Sequence, residues 1–428
     1  MKLSGQFGLT LAVAAALLAG CGQEAPKVAA PMPATELVVK IGHASPLTGT
    51  QAHIGKDNEN GAMLAIEEAN AAGIVIGGRK IKFQLLGEDD QADPKTGAIV
   101  AQKLVDAKIN GMIGHLNSGT TIPASRIYHD AGIPQISPSA TNPKYTQQGF
   151  KTAFRTMAND EQQGKMLGEF ATKQLAAKKI AIIDDRTAYG QGIADEFEKS
   201  VKANGGTIVA REFTSDKATD FLAILTAIKG KKPDVLFFGG MDPQGGPMTK
   251  QIKSLGIKTK FLGGDGVFTP EFIKLAGNAA EGAYGSLPGV PLETMPGGSA
   301  FRAKYKARFN QEIQLYAPFA YDAVNVMIGA MKRADSVEPA KYLPELAKMN
   351  LNGVTSRILF DEKGDLKGGA ITFYQVKNGK WEVMETLGGA PAAPAASAPA
   401  AASAVAPAPA MAGKTENKDG DAMSAGYK

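Results

Sequence analysis

The sequence predicts an α/β protein with two successive sets of parallel strands and helices. Three observations predict it. Short apolar runs alternate with amphipathic helical stretches, a pattern that calls for parallel strands joined by right-handed βαβ crossovers. The alternation falls into two sets, the second beginning after Phe154-Arg155-Thr156. Two hydroxyl-rich turns, Asn117-Ser118-Gly119-Thr120-Thr121 and Pro138-Ser139-Ala140-Thr141, follow consecutive strands of the first set. An open α/β sheet forms its ligand crevice at such strand ends.

Taken in order, Glu36 to Ala44 reads as the first strand and Ile54 to Ala72 as a helix, apolar at Ala62, Met63, Ala65, Ile66 and Ala69. Gly73 ends that helix, since glycine accepts the left-handed cap. Arg79 to Gly87 is the second strand, and Asp93-Pro94 starts a helix running to Ala107. Gly111 to Leu116 and Pro134 to Ser137 are buried strands, each leading into one of the polar turns. In the second set, strands are expected at Lys179–Asp185, Thr207–Phe213, Leu236–Gly240 and Lys260–Gly264. Helices are expected at Glu161–Ala176, Gly190–Ala203, Phe221–Ile228 and Thr249–Leu255. Pro318 to Ala334 is a long helix, and Ile371 to Val383 folds as a hairpin about Lys377-Asn378-Gly379.

The two ends differ from this body. Residues 1–20 read as a targeting segment, with Lys2 as its charge and Phe7 to Leu18 an apolar run too short for a comfortable span. Leu18-Ala19-Gly20-Cys21 resembles the bacterial lipoprotein lipobox, which implies acylation of Cys21 and a membrane-anchored lipoprotein in the periplasm. Cys21 is the only cysteine among 428 residues, so no intramolecular disulfide can form. Residues 21–35 form a flexible Ala/Pro-rich tether, and 389–428 form an Ala/Pro-rich tail expected to be disordered. The formal charge of +5 comes from 47 basic and 42 acidic residues. These charges are interspersed, with no basic block of nucleic-acid type. No second apolar run is long enough to span a membrane.

Several motifs occur together in order: Gly73-Ile74, Asp89-Asp90, Asp93-Pro94, Gly114-His115-Leu116 and Pro123-Ala124-Ser125. Pro138-Ser139-Ala140-Thr141, Tyr189-Gly190-Gln191-Gly192 and Asp361 to Gly368 complete the set. From Val38 to Val383 the chain resembles the periplasmic leucine/isoleucine/valine-binding proteins of ABC importers. The resemblance implies two Rossmann-like lobes with parallel central sheets joined by a three-segment hinge. It puts lobe 1 at 36–156 and 286–355, and lobe 2 at 157–285 and 356–388. It further implies an amino acid ligand, the transmembrane subunits of an ABC permease as partner, a monomer, and no cofactor.

A hydroxyl-rich turn at a helix start offers unpaired backbone N–H groups and a positive dipole to an anion, so two such turns suit a small carboxylate. Carried over from the family, Ser118 and Thr141 hold the ligand's α-carboxylate, and the Ser139 carbonyl, beside Ala140, accepts from its ammonium. Asp265 stands where the family usually has Glu, balancing the ammonium from the second lobe with a side chain one methylene shorter. Tyr189 covers the ligand from that lobe, with Leu116 and Asn117 beside it on the first. Ile54 and Met241 replace aromatic residues around the ligand side chain, which leaves an apolar and adaptable pocket. Asn117 and Ala92 stand where the family has a disulfide.

Enzymatic readings fail on spacing. Gly190-x-Gly192-x-x-Asp195 lacks the third glycine of a dinucleotide fingerprint. Ser118 has Leu116 and Thr120 at the flanking glycine positions of a nucleophile elbow. His43, His53, His115 and His129 match no zinc spacing, so no metal is expected. The expected function is therefore a lipid-anchored solute-binding protein of an ABC importer, trapping a small aliphatic amino acid. The alternative is a sensor for an amino acid or short amide that signals rather than transports.

Overall fold

The computed structural model describes residues 36–389. The signal segment, the tether with Cys21, and the tail from residue 390 onward lie outside the described residues.

The first sheet uses β1 (Leu37–Ser45), β2 (Val75–Ile76), β3 (Arg79–Asp89), β4 (Gly111–Gly114), β5 (Gln135–Ser137) and β6 (Ala153–Arg155). Helices α1 (Ala52–Ala71), α2 (Pro94–Asp106), α3 (Ser118–Asp130) and the short α4 (Lys144–Gln147) connect them. The second half begins with α5 (Asp160–Glu169), continued by a π turn to Gln174. It then alternates β7 (Lys179–Asp184), α6 (Ala188–Ala203), β8 (Thr207–Phe213), α7 (Leu222–Lys229), β9 (Val235–Gly239) and α8 (Asp242–Ser254). Next come β10 (Lys260–Gly263), α9 (Pro270–Ala276), β11 (Tyr284–Pro288), α10 (Gly298–Phe309), α11 (Ala317–Arg333) and α12 (Pro339–Ala347). A small hairpin, β12 (Asn350–Asn352) with β13 (Arg357–Leu359), precedes the final pair β14 (Ala370–Lys377) and β15 (Lys380–Gly388).

The strand order is β2-β3-β1-β4-β5-β6 in one sheet and β15-β14-β11-β10-β9-β7-β8 in the other. Both sheets are mostly parallel; β2, β14 and β15 run antiparallel to their neighbours. Each sheet reverses its winding next to its first strand, between β1 and β4 and between β7 and β9. The crevice of a doubly wound sheet lies outside the carboxyl ends at this switch point.

Each parallel sheet is covered on both faces, so successive residues of one strand enter different cores. Ile180 and Ile182 pack with Phe197 and Phe237, while Ala181 and Ile183 pack with Phe238 and Ile252. In the first sheet, Ile41 and Ile113 meet Val324 and Met327 of α11, and Met112 meets Leu104 and Tyr128 on the other face. Helix α11 therefore returns from far along the chain to pack beside α1. That contact is close: a Cβ on Gly61 of α1 would lie 2.1 Å from the Ala317 carbonyl oxygen.

The chain passes from the first sheet to the second after β6, returns against the first with α11, and joins the second again at β14. Arg155, fully buried at the first crossing, donates from Nε (2.9 Å) and Nη2 (2.6 Å) to Asp365 Oδ1 at the third. Its Nη1 donates to the carbonyls of Ala140 (2.6 Å) and Asn142 (3.0 Å). The hinge and one polar turn thus share a guanidinium.

Helix α8 begins at Asp242, well before the expected Thr249. Pro243 sits in the first turn, where its missing donor costs nothing, and Gly245 and Gly246 pack closely on Val267 and Leu275. That packing outweighs the poor helix propensity of the stretch. The second polar turn leads only into the four-residue α4, so the expected helix dipole is available at the first turn alone.

Candidate functional site

The carboxyl ends of both sheets bring two walls together. On the first, Asn117 caps α3 and Ser118 is its first residue, placing the Ser118 hydroxyl at the helix N-terminus. Ser118 Oγ accepts from Asn142 N–H (3.2 Å), which ties the two polar turns to each other. Ser139 Oγ donates to the Leu116 carbonyl (3.1 Å) and accepts from Asn58 Nδ2 (3.3 Å). Ala140 N–H donates to Ser137 Oγ (3.0 Å), and Thr141 Oγ1 is buried with no partner among the described residues. Asn117 Nδ2 donates to Gln51 Oε1 (2.8 Å).

On the second wall, Asp265 follows β10 and is buried. Its Oδ1 accepts from the Tyr189 hydroxyl (2.9 Å) and its Oδ2 from the Tyr316 hydroxyl (2.6 Å). Burial raises its pKa above the usual carboxylate value, and the two phenols work against that rise. Tyr189 Oη also accepts from Gly266 N–H (3.0 Å), fixing the ring beside the turn. Between the walls lies an apolar cluster that joins Ile54 and Leu116 to Tyr189, Met241, Tyr316 and Phe319.

A buried carboxylate, a turn rich in hydroxyls and amides, and an apolar patch are the three partners a free amino acid needs once water is excluded.

Residues 38–381 match the family model described as periplasmic binding protein. The chain belongs to the periplasmic binding protein family. A Leu/Ile/Val-binding protein homolog of Brucella abortus is 37% identical over 347 residues, covering 80% of this chain and 90% of its own. A leucine-, isoleucine-, valine-, threonine- and alanine-binding protein of Pseudomonas aeruginosa is 35% identical over 339 residues, or 79% and 89% of the two chains. Among solved structures, the branched-chain amino acid transporter substrate binding protein LivJ of Streptococcus pneumoniae, in complex with isoleucine, is similar with a TM-score of 0.75. Its identity is 32%, over 82% of this chain and 100% of that one.

In this periplasmic binding protein the two lobes meet across the crevice. Asn142 Nδ2 of the first donates to the Ala188 carbonyl of the second. His53 Nε2 on α1 lies 2.7 Å from Asp242 Oδ2 on α8. Thr269 supports that carboxylate through its hydroxyl, and the Thr269 carbonyl accepts from Trp381 Nε1 (3.0 Å). Burial lowers the His53 pKa, but the Asp242 hydrogen bond and charge, helped by Glu271 and Asp57, raise it overall. A raised pKa favours the docked, protonated form. Its contribution is full below the ordinary histidine value and is lost as pH rises through the raised one. Ligand affinity should therefore fall by about two- to tenfold over that rise, because the pair is partly solvent-screened. His53→Ala should flatten the profile in calorimetric titrations.

Leu116, Ile54, Tyr189 and Met241 occupy one cluster, and Asp265 bonds to Tyr189 within it. Ser118 and Ser139 hold the polar turns to Asn142 and Leu116, and Ala140 is bound through its carbonyl by Arg155. Sequence reasoning missed Tyr316, which donates to Asp265, and Asn58, which donates to Ser139. Tyr316 stands directly before α11 and far from Asp265 in sequence; an aromatic just ahead of the Ala317-Pro318 helix start was its available signal.

Among the described residues no helix is long and apolar enough to cross a membrane.

Proposed function

We propose that this periplasmic binding protein is the lipid-anchored solute receptor of an ABC importer. It traps one small aliphatic amino acid between its lobes and delivers it to the transmembrane permease. The observation that carries this reading is the opposition of Asp265, held by two phenols, to the hydroxyl-rich Ser118 and Ser139–Thr141 turns across an apolar cluster. The ammonium faces Asp265 and the Ser139 carbonyl; the carboxylate faces Ser118 and Thr141. Ile54, Leu116, Tyr189 and Met241 surround the side chain, and Asn117 borders it. The names of the relatives support leucine, isoleucine and valine first, with threonine and alanine next.

Hinge closure supplies the trapping, because contacts from the second lobe form only in the closed state. The lobe limits belong to this proposal: 36–156 with 286–355, and 157–285 with 356–388. So do acylation of Cys21, a periplasmic location, a monomeric state and the lack of any catalytic step. The test is calorimetric titration of the chain, unfolded and refolded to strip carried ligand, against the twenty amino acids and short amides. Tight one-to-one binding of Leu, Ile or Val supports the reading. Silence across the panel would sink it and leave a sensory or structural role.

A further inference from the structure

Residues 310–316, between α10 and α11, form neither helix nor strand. They are held from α1. Asp57 of that helix is buried, and its Oδ1 accepts from Gln314 N–H (2.9 Å). Its Oδ2 accepts from the N–H groups of Leu315 (3.0 Å), Tyr316 (2.8 Å) and Ala317 (2.9 Å). The Tyr305 hydroxyl adds a fifth donor, to Oδ1 (3.1 Å). All five groups are donors, a set that suits a carboxylate anion. Tyr316 caps α11, and the first turn of that helix has no acidic residue of its own. Asp57 therefore supplies, from another helix, the negative charge that the α11 N-terminus favours.

Tyr316 carries this attachment across the crevice. Helix α11 packs on the first sheet, yet the Tyr316 hydroxyl donates to Asp265 Oδ2 (2.6 Å) after β10 of the second. Within the same two turns of α1, His53 faces Asp242 on α8 and Asn58 Nδ2 donates to Ser139 Oγ. Ile54, between them, enters the apolar cluster. The start of α1 is thus a common mount for both polar walls. A phenol on an unpinned loop gives up conformational freedom each time it meets its acceptor; on a pinned turn that freedom is already spent.

We infer that Asp57 is a positioning residue for ligand trapping: it fixes the Tyr316 turn to α1, so that the Tyr316 hydroxyl meets Asp265 as the lobes close. Asp57 acts through Tyr316 and needs no contact with the ligand. The inference rests on the amino acid reading and deepens it, because it names a bond between the lobes that strengthens the closed form beyond the ligand's own contacts.

The test is a double-mutant cycle read by calorimetry of the full chain with L-leucine, or whichever amino acid of the panel binds most tightly. Asp57→Asn keeps the shape but turns one acceptor oxygen into an NH2 donor that opposes the backbone N–H groups. It should weaken binding about tenfold in the wild-type background, and less than about twofold once Tyr316→Phe has removed the hydroxyl. A merely structural role would lower the melting temperature and leave the same affinity factor in both backgrounds. Asp322→Asn is the control: an equally buried carboxylate on α11, it holds the N–H groups of Val354 and Thr355. It should lower the melting temperature without coupling to Tyr316→Phe. Should Asp57→Asn not fold, Tyr305→Phe removes the fifth donor alone and runs the same cycle, with about threefold expected in place of tenfold. Equal factors in the two backgrounds, undiminished affinity in a folded Asp57→Asn, or equally strong coupling of Asp322→Asn would each overturn the inference and leave the amino acid reading standing. Failure of every amino acid to bind wild type would overturn both.

Discussion

Replacing Ser118 and Asp265 together by alanine weakens amino acid binding by about a thousandfold or more, to the limit of calorimetric detection. The two side chains lie on opposite walls and, in the proposed site, serve opposite ends of a zwitterion, so their losses should add. Asp265→Ala alone leaves the Tyr189 and Tyr316 hydroxyls facing an ammonium without a counter-charge. Ser118→Ala alone removes the hydroxyl at the α3 N-terminus that also holds Asn142. The fold should survive, because Asp265 is a buried carboxylate whose desolvation offsets much of what its hydrogen bonds contribute. An unchanged denaturation midpoint with lost binding is the expected pair of results. Undiminished affinity would remove the site from this crevice.

Arg155→Met should cost about 3–5 kcal/mol of stability, because it strands the Asp365 carboxylate in the hinge without its cation. The loss would be read from urea unfolding with the slope of the transition held in view. Thr146 and Asn159 also donate to Asp365, and they soften the loss without replacing the charge. Binding should weaken as well, since Arg155 holds the carbonyls of Ala140 and Asn142 and through them the ligand turn. The paired variant Arg155→Met with Asp365→Leu should recover much of the stability but not the affinity. That split separates the charge pair from the positioning of the turn.

Elements with strong local signals were legible in the sequence. Strand β8 runs from Thr207 to Phe213 as expected, and the final hairpin turns at Asn378-Gly379, where both residues have positive φ. The two polar turns were legible as loops at strand ends, and the structure ties them together through Ser118 and Asn142. The first half of α1 was harder. Asp57, Asn58, Glu59 and Asn60 are consecutive polar residues on a helix, yet all four are buried. Asp57 accepts from the backbone N–H groups of Gln314, Leu315, Tyr316 and Ala317. No local pattern announces a partner so far along the chain. Tyr316 was missed for the same reason, since it is defined by what packs against it. Helix α8 was read short because Pro243, Gly245, Gly246 and Pro247 carry loop propensity that only tertiary packing reverses.

Trp381 is the sole tryptophan of the chain. Its indole stacks obliquely on Phe268 and Phe272 and donates to the Thr269 carbonyl, while the Thr269 hydroxyl serves the Asp242 that meets His53. One fluorophore therefore sits two hydrogen bonds from the contact that joins the lobes, and no other tryptophan emission competes with it. Docking of His53 changes the charge balance around that indole, so addition of ligand should alter intrinsic emission in a single saturable step. The protein thus comes with its own optical gauge of closure, able to time the motion in a stopped-flow cell without any attached dye.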